Sequence, residues 1–337
     1  MTRKRVLLAH TGGTVGMRRG PGGYEPAPGH LAGLLAGLPE LSAPELPETQ
    51  LIEFDPLLDS ADMAPSDWLR VARLIASRYA EFDGFVVLHG TDTLAYTAAA
   101  LSFLLEGLGK PVVVTGSQLP LGEVRSDARD NLVGALLVAA AGAIREVSVC
   151  FGGLVMRGNR VTKVSSTGFA AFDSPNHPPL ARLGVTIEPG PAAPRPPQDG
   201  PLRVADLAPV SVAALRLFPG ITPDLVANVL RPPLAGLVLE TYGAGNAPGR
   251  DPALLEAIAA AVERGVVVVN TTQCLRGGVD MDGYATGSAL RRVGVVSGAD
   301  MTPEAALAKL IWLLGQGLEP ALVRELAARD LRGELTA

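Results

Sequence analysis

Short apolar runs recur along the 337-residue chain, at residues 6–9, 85–88, 112–114 and 147–151, the last interrupted only by Ser148, and each gives way within two residues to glycine or threonine. A strand with no polar alternation is buried on both faces. That pattern belongs to parallel sheets covered by helices, because an antiparallel sheet with one wet face would alternate. Helical stretches fit between the runs at 65–79, 92–105 and 127–141, the first opening with Pro65, where the missing N–H does no harm. Strand and helix therefore alternate, and the class is α/β.

Residues 189–201 hold six prolines, a density that no central strand or helix accommodates. This places a Pro-rich linker at 189–209, between an N-terminal domain at 1–188 and a C-terminal domain at 210–337. The length supports two hydrophobic cores. Alternation resumes after the linker, with strands expected at 212–217, 236–240 and 266–270, helices at 223–230 and 252–264, and a last helix from Pro303. Thr222, Asp251 and Thr302 each stand before a proline, as N-caps should.

The net charge of −5 provides no basic surplus for tracking phosphates, so nucleic acid is not an expected partner. Two cysteines, Cys150 and Cys274, make neither a disulfide framework nor a zinc spacing. The apolar run after the basic N-terminus is too short for an export signal, and residues 135–144 are too few to span a bilayer. A cytoplasmic location with no membrane partner is expected.

Two turns stand out for chemistry. The first strand runs into His10-Thr11-Gly12-Gly13-Thr14, and the run at 85–88 ends in His89-Gly90-Thr91-Asp92-Thr93. Carboxyl ends of parallel strands share one sheet edge, so Thr11 and Thr91 can face one crevice. Taken singly, the first string can be a plain glycine turn and the second an N-cap for the next helix. Neither is a Walker loop or GxGxxG. Lys163 is one of four lysines against 25 arginines and sits among hydroxyl residues; lysine, unlike arginine, can act as a base. A hydroxyl nucleophile, a base and an orienting carboxylate are the parts that threonine chemistry needs. Tyr24, in the Gly/Pro-rich stretch 19–28, reads as part of a mobile lid. Ser60 and Gln118 offer polar groups at crevice edges, or simple turn chemistry.

In this order, TGGT, HGTDT and VTK resemble the bacterial-type L-asparaginases. Residues 59–63 (DSADM), 115–118 (TGSQ), 172–176 (FDSPN), 241–246 (TYGAGN) and 270–274 (NTTQC) resemble the cytoplasmic, type I branch. The likeness covers about residues 4–316. It implies two α/β domains, a larger N-terminal one with a doubly wound, mostly parallel sheet and a smaller C-terminal one. It also implies hydrolysis of L-asparagine to L-aspartate and ammonia through a threonine acyl-enzyme, without metal or organic cofactor, in a homodimer or homotetramer. By position, Thr11 would be the nucleophile with Tyr24 as its lid partner, and Thr91, Asp92 and Lys163 the second hydroxyl, carboxylate and lysine. The substrate would lie against Gly13, Ser60, Gly90, Thr91, Asp92 and Gln118. Two departures matter: Ala61 replaces a glutamine of secreted relatives, and Glu240 replaces an arginine near the effector site of some type I members, near Cys274. Activation by asparagine should accordingly be weak or absent. The alternatives are a glutaminase-asparaginase or related amidohydrolase, and a non-catalytic amino-acid sensor; a sensor would need no nucleophile and base.

Overall fold

The computed structural model describes residues 3–198, 200–283 and 285–336. The chain divides into two compact units, with the boundary between Ala205 and Asp206.

The first unit is built on an eight-stranded sheet. Its strands are β1 (Arg5–Gly12), β2 (Glu48–Leu58), β3 (Gly84–Leu88), β4 (Val112–Thr115), β5 (Val147–Phe151), β6 (Leu154–Arg157), β7 (Ala181–Leu183) and β8 (Ile187–Pro189). Their order is β2-β1-β3-β4-β5-β6-β7-β8, parallel from β2 to β5 and antiparallel beyond. The parallel part thus reads 2-1-3-4-5. In that order the chain reverses direction across the sheet between β1 and β3, the switch point where α/β folds leave a crevice at the strands' carboxyl ends.

β3, β4 and β5 are buried at every position, including the hydroxyl residues Thr115 and Ser148, as their mainly apolar runs lead one to expect. β2 is different, since only Phe54 of its eleven residues is buried. It is the exposed edge, and its polar-rich sequence carries no apolar run, so hydropathy alone does not reveal it. Helices α1 (His30–Ala36), α2 (Pro65–Ser77), α3 (Leu94–Leu104) and α4 (Ala128–Ala141) complete the unit. Leu132, Ala135, Leu136 and Ala139 of α4 share a core with Leu8, Val86, Val113 and Cys150 from the strands. Both cysteines are free, Cys150 buried and Cys274 exposed.

The proline-rich segment departs from a free linker. Residues up to Ala205 belong to the first unit. Arg157 bonds the Ala193 carbonyl, Glu146 accepts the Arg195 amide, and Gln198 accepts the Gly107 amide. Arg203–Val204 then pairs antiparallel with Leu105–Glu106. Prolines donate no amide, so side chains of the unit and the few remaining amides hold this strap in place.

The second unit is a four-stranded parallel sheet of Val212–Arg216, Gly236–Thr241, Val267–Thr272 and Val296–Ser297. Thr222, Asp251 and Thr302 all cap helices with their side chains. The helix Pro303–Gly315 is not the last, because Pro320–Ala327 follows it. Among the described residues no helix is long and apolar enough to cross a membrane.

Candidate active site

Thr11 is buried near the carboxyl end of β1, and its hydroxyl donates to the Leu88 carbonyl at the end of β3, 3.0 Å away. The chain then turns at Gly13 with φ of +85°, and a Cβ there would stand 2.3 Å from the Gly90 nitrogen. The two turns therefore touch backbone to backbone, an approach that only glycine permits. A Cβ on Gly90 would in turn lie 2.4 Å from Ser60 Oγ. Gly13, Gly90 and Ser60 form one continuous contact at the switch point.

Beside it, Lys163 Nζ donates to Thr91 Oγ1 at 2.8 Å and to Asp92 Oδ1 at 2.7 Å. Lys163 stands on a short ribbon, Thr162–Lys163 paired with Phe172–Asp173. Thr91 donates its own proton to Gln118 Oε1 at 3.2 Å, and Gln118 Nε2 donates to the Gly168 carbonyl. The lysine side chain is 21% exposed and that of Asp92 66%, so the carboxylate that holds the ammonium also faces solvent. Thr93, at the N-cap position, makes no cap; its hydroxyl donates to the Ser60 carbonyl at 2.7 Å and joins the turns instead.

The segment read as a mobile lid holds a short β-hairpin, Arg18–Gly20 against Gly23–Glu25. Tyr24 is exposed, and its phenol donates to Glu123 Oε1 at 2.9 Å. That bond to a carboxylate raises the phenol's pKa. The structure thus gathers Thr11, Gly13, Ser60, Gly90, Thr91, Asp92, Gln118 and Lys163 at one sheet edge, and leaves Tyr24 bonded to Glu123 rather than to Thr11.

The family model "Asparaginase, N-terminal" matches residues 5–192, and "Glutaminase/Asparaginase C-terminal domain" matches 211–326. The chain belongs to the asparaginase family. It is 50% identical to L-asparaginase 1 of Escherichia coli K12 over 100% of this chain and 99% of that one. The crystal structure of L-asparaginase I from Vibrio cholerae superposes with a TM-score of 0.92 at 48% identity, covering 100% of both chains. The L-asparaginase of Thermococcus kodakarensis gives 0.89 at 38%, covering 99% of each.

Three further residues of the candidate site carry no clear signal in the sequence. Asp127 looks like the N-cap of α4, but its carboxylate reaches back to the amides of Gln118 and Leu119 and fixes the turn that carries Gln118. Asn131 joins this network through the Gly116 carbonyl. His89 is completely buried, with Nδ1 2.7 Å from the Gly90 carbonyl and Nε2 2.8 Å from Thr97 Oγ1. Burial pushes its pKa down to about 4, so the ring is neutral at pH 7, donating from Nδ1 and accepting at Nε2.

This pKa makes stability depend on pH. Below an unfolded pKa near 6.5, the unfolded chain protonates His89 while the folded one does not until about pH 4. Stability is therefore lost as pH falls through that window, by about 3 kcal/mol from this residue. Denaturant unfolding at pH 7, 5.5 and 4.5 should give a smaller loss for His89→Asn than for the wild type; equal slopes would assign the effect elsewhere.

Proposed function

We propose that the chain hydrolyses L-asparagine to L-aspartate and ammonia, with Thr11 as nucleophile. The Thr11 oxygen bonds to the carboxamide carbon, the C–N bond breaks, and the ammonia leaves with the hydroxyl proton. Water then adds to the ester carbon, aspartate departs, and Thr11 regains its proton. Backbone N–H groups near Gly13 and Thr91 supply donors for the oxyanion, each worth roughly 3 kcal/mol. Thr91, Lys163 and Asp92 move the protons, with Gln118 orienting Thr91. Ser60 receives the substrate's α-carboxylate, and the exposed Asp92 carboxylate its α-ammonium.

The observation that carries this reading is the Lys163–Thr91–Asp92 triangle, with bonds of 2.8 and 2.7 Å, on the turn whose Gly90 abuts Gly13. A site built only to bind an amino acid has no use for a lysine seated on a threonine hydroxyl. Tyr24 serves as a lid residue that must leave Glu123 to reach Thr11. Assembly as a homodimer or homotetramer and a cytoplasmic location complete the proposal. Its test is ammonia release by the purified protein from L-asparagine and L-glutamine in parallel. Turnover of asparagine above glutamine is the expected result, and no release from either would remove the reading.

In the second unit, Glu240 lies 3.5 Å from Arg216, and by resemblance it stands where some type I members carry an arginine near their effector site. The rate should rise hyperbolically with asparagine, and a sigmoidal curve would overturn that expectation.

A further inference from the structure

Directly behind Thr11, the buried side chain of His10 points to the other face of β1, as alternation along a strand requires. Its Nδ1 lies 3.1 Å from Glu53 Oε1 on the paired strand β2, and the other carboxylate oxygen, Oε2, accepts the Gly29 amide at 2.8 Å. Gly29 ends the segment that carries the Tyr24 hairpin and precedes α1. Gly16 stands at the other end of that segment, and a Cβ there would lie 2.6 Å from His10 Cε1 and 2.8 Å from Nε2. One imidazole–carboxylate pair therefore touches both roots of the hairpin and the strand that presents Thr11.

We propose that His10 and Glu53 are positioning residues for the reaction, clamping both roots of the Tyr24 hairpin to the nucleophile strand. The pair touches no substrate; it sets where the hairpin closes and how firmly Thr11 is held. Its partners are assigned by chemistry. Burial lowers the pKa of His10 against the opposing pull of Glu53, and Nε2 has no hydrogen-bond partner, so a second ring proton would have no acceptor. Neutral His10 donates from Nδ1, and the Glu53 carboxylate accepts one proton on each oxygen. No hydrophobic pair of the same size could hold the Gly29 amide. Ser60 and Asp92, which would bind the substrate's charged groups, lie on other turns. Loosening the clamp should therefore lower kcat more than it raises KM.

The inference rests on the asparaginase reading for its kinetic effect, but not for its effect on the hairpin, so the test has two readouts. Glu53→Leu removes both acceptors at a position that is part-exposed and leaves no buried cavity. Its kcat on L-asparagine should fall roughly tenfold, within the range that small misplacements of reacting groups produce, with KM changed less than about threefold. Hydrogen exchange of the free protein should speed up across residues 17–29 and remain unchanged in β3 to β5. His10→Phe keeps the ring against Gly16 and loses the donor; His10→Asn keeps an amide donor near the place of Nδ1 and loses the ring. The clamp requires Asn to retain more kcat and more hairpin protection than Phe. The reverse order would make His10 a packing residue and overturn the proposal, as would unchanged exchange in Glu53→Leu. If Glu53→Leu fails to fold, the Phe and Asn pair decides alone. Should the wild type release no ammonia, altered exchange would still support the clamp while the catalytic reading falls.

Discussion

Thr11→Ala should release ammonia from L-asparagine on the order of 10⁴-fold more slowly than the wild type, the scale expected when a nucleophile acting within a concerted set is removed. The substitution deletes the hydroxyl with its bond to the Leu88 carbonyl and the buried γ-methyl, which together cost roughly 2–4 kcal/mol of stability. The protein should therefore remain folded, with Gly13 still against Gly90. Initial rates of ammonia release, with melting measured beside them, check this. A folded variant that keeps more than a hundredth of the wild-type rate would remove Thr11 from the role of nucleophile. Mass spectrometry of acid-quenched wild type adds a second reading, since an acyl group on Thr11 should appear there and be absent from the variant.

Lys163→Arg should be almost as inactive as Lys163→Met, each losing on the order of 10²–10⁴-fold. Arginine keeps the positive charge beside Asp92, but its guanidinium stays protonated at every working pH and can take no proton from Thr91. If Lys163 only neutralised Asp92, arginine would preserve most of the rate. Steady-state kinetics on the two variants separate these roles, and a strongly active arginine variant would make the lysine an electrostatic prop. Methionine has a similar reach without charge, so a folding defect shared by both would show as a common drop in melting temperature.

Much of the site was legible because its residues sit where an apolar strand stops. The runs at 6–9 and 85–88 place Thr11 and Thr91 at one edge of a parallel sheet before any contact is known, and the scarcity of lysine draws attention to Lys163. The hydroxyls of Thr91 and Thr93 were open to a capping role by local chemistry, yet neither caps α3; each makes its bond across space, to Gln118 and Ser60. The contacts least legible were those set by tertiary approach. Glu53 lies on an edge strand without an apolar signature, and its two partners are 43 and 24 residues away. Asp127 satisfies every local rule for a helix cap and is used in the opposite direction along the chain. Glu123, the partner of Tyr24, is an ordinary loop acid until the hairpin is brought beside it.

The proline strap also decides where the chain can be taken apart. A fragment ending at residue 188 would break the edge strand β8, remove one of the Glu146 carboxylate's partners while leaving Arg157, and orphan the Gly107 amide and the Leu104 carbonyl, each orphaned group costing about 1–3 kcal/mol where water cannot replace the bond. A fragment ending at Ala205 carries all of them. Its prolines restrict the strap before it folds, so little freedom is lost when it is laid down. For splitting, permuting or fusing the two halves, the natural seam follows the strap rather than preceding it.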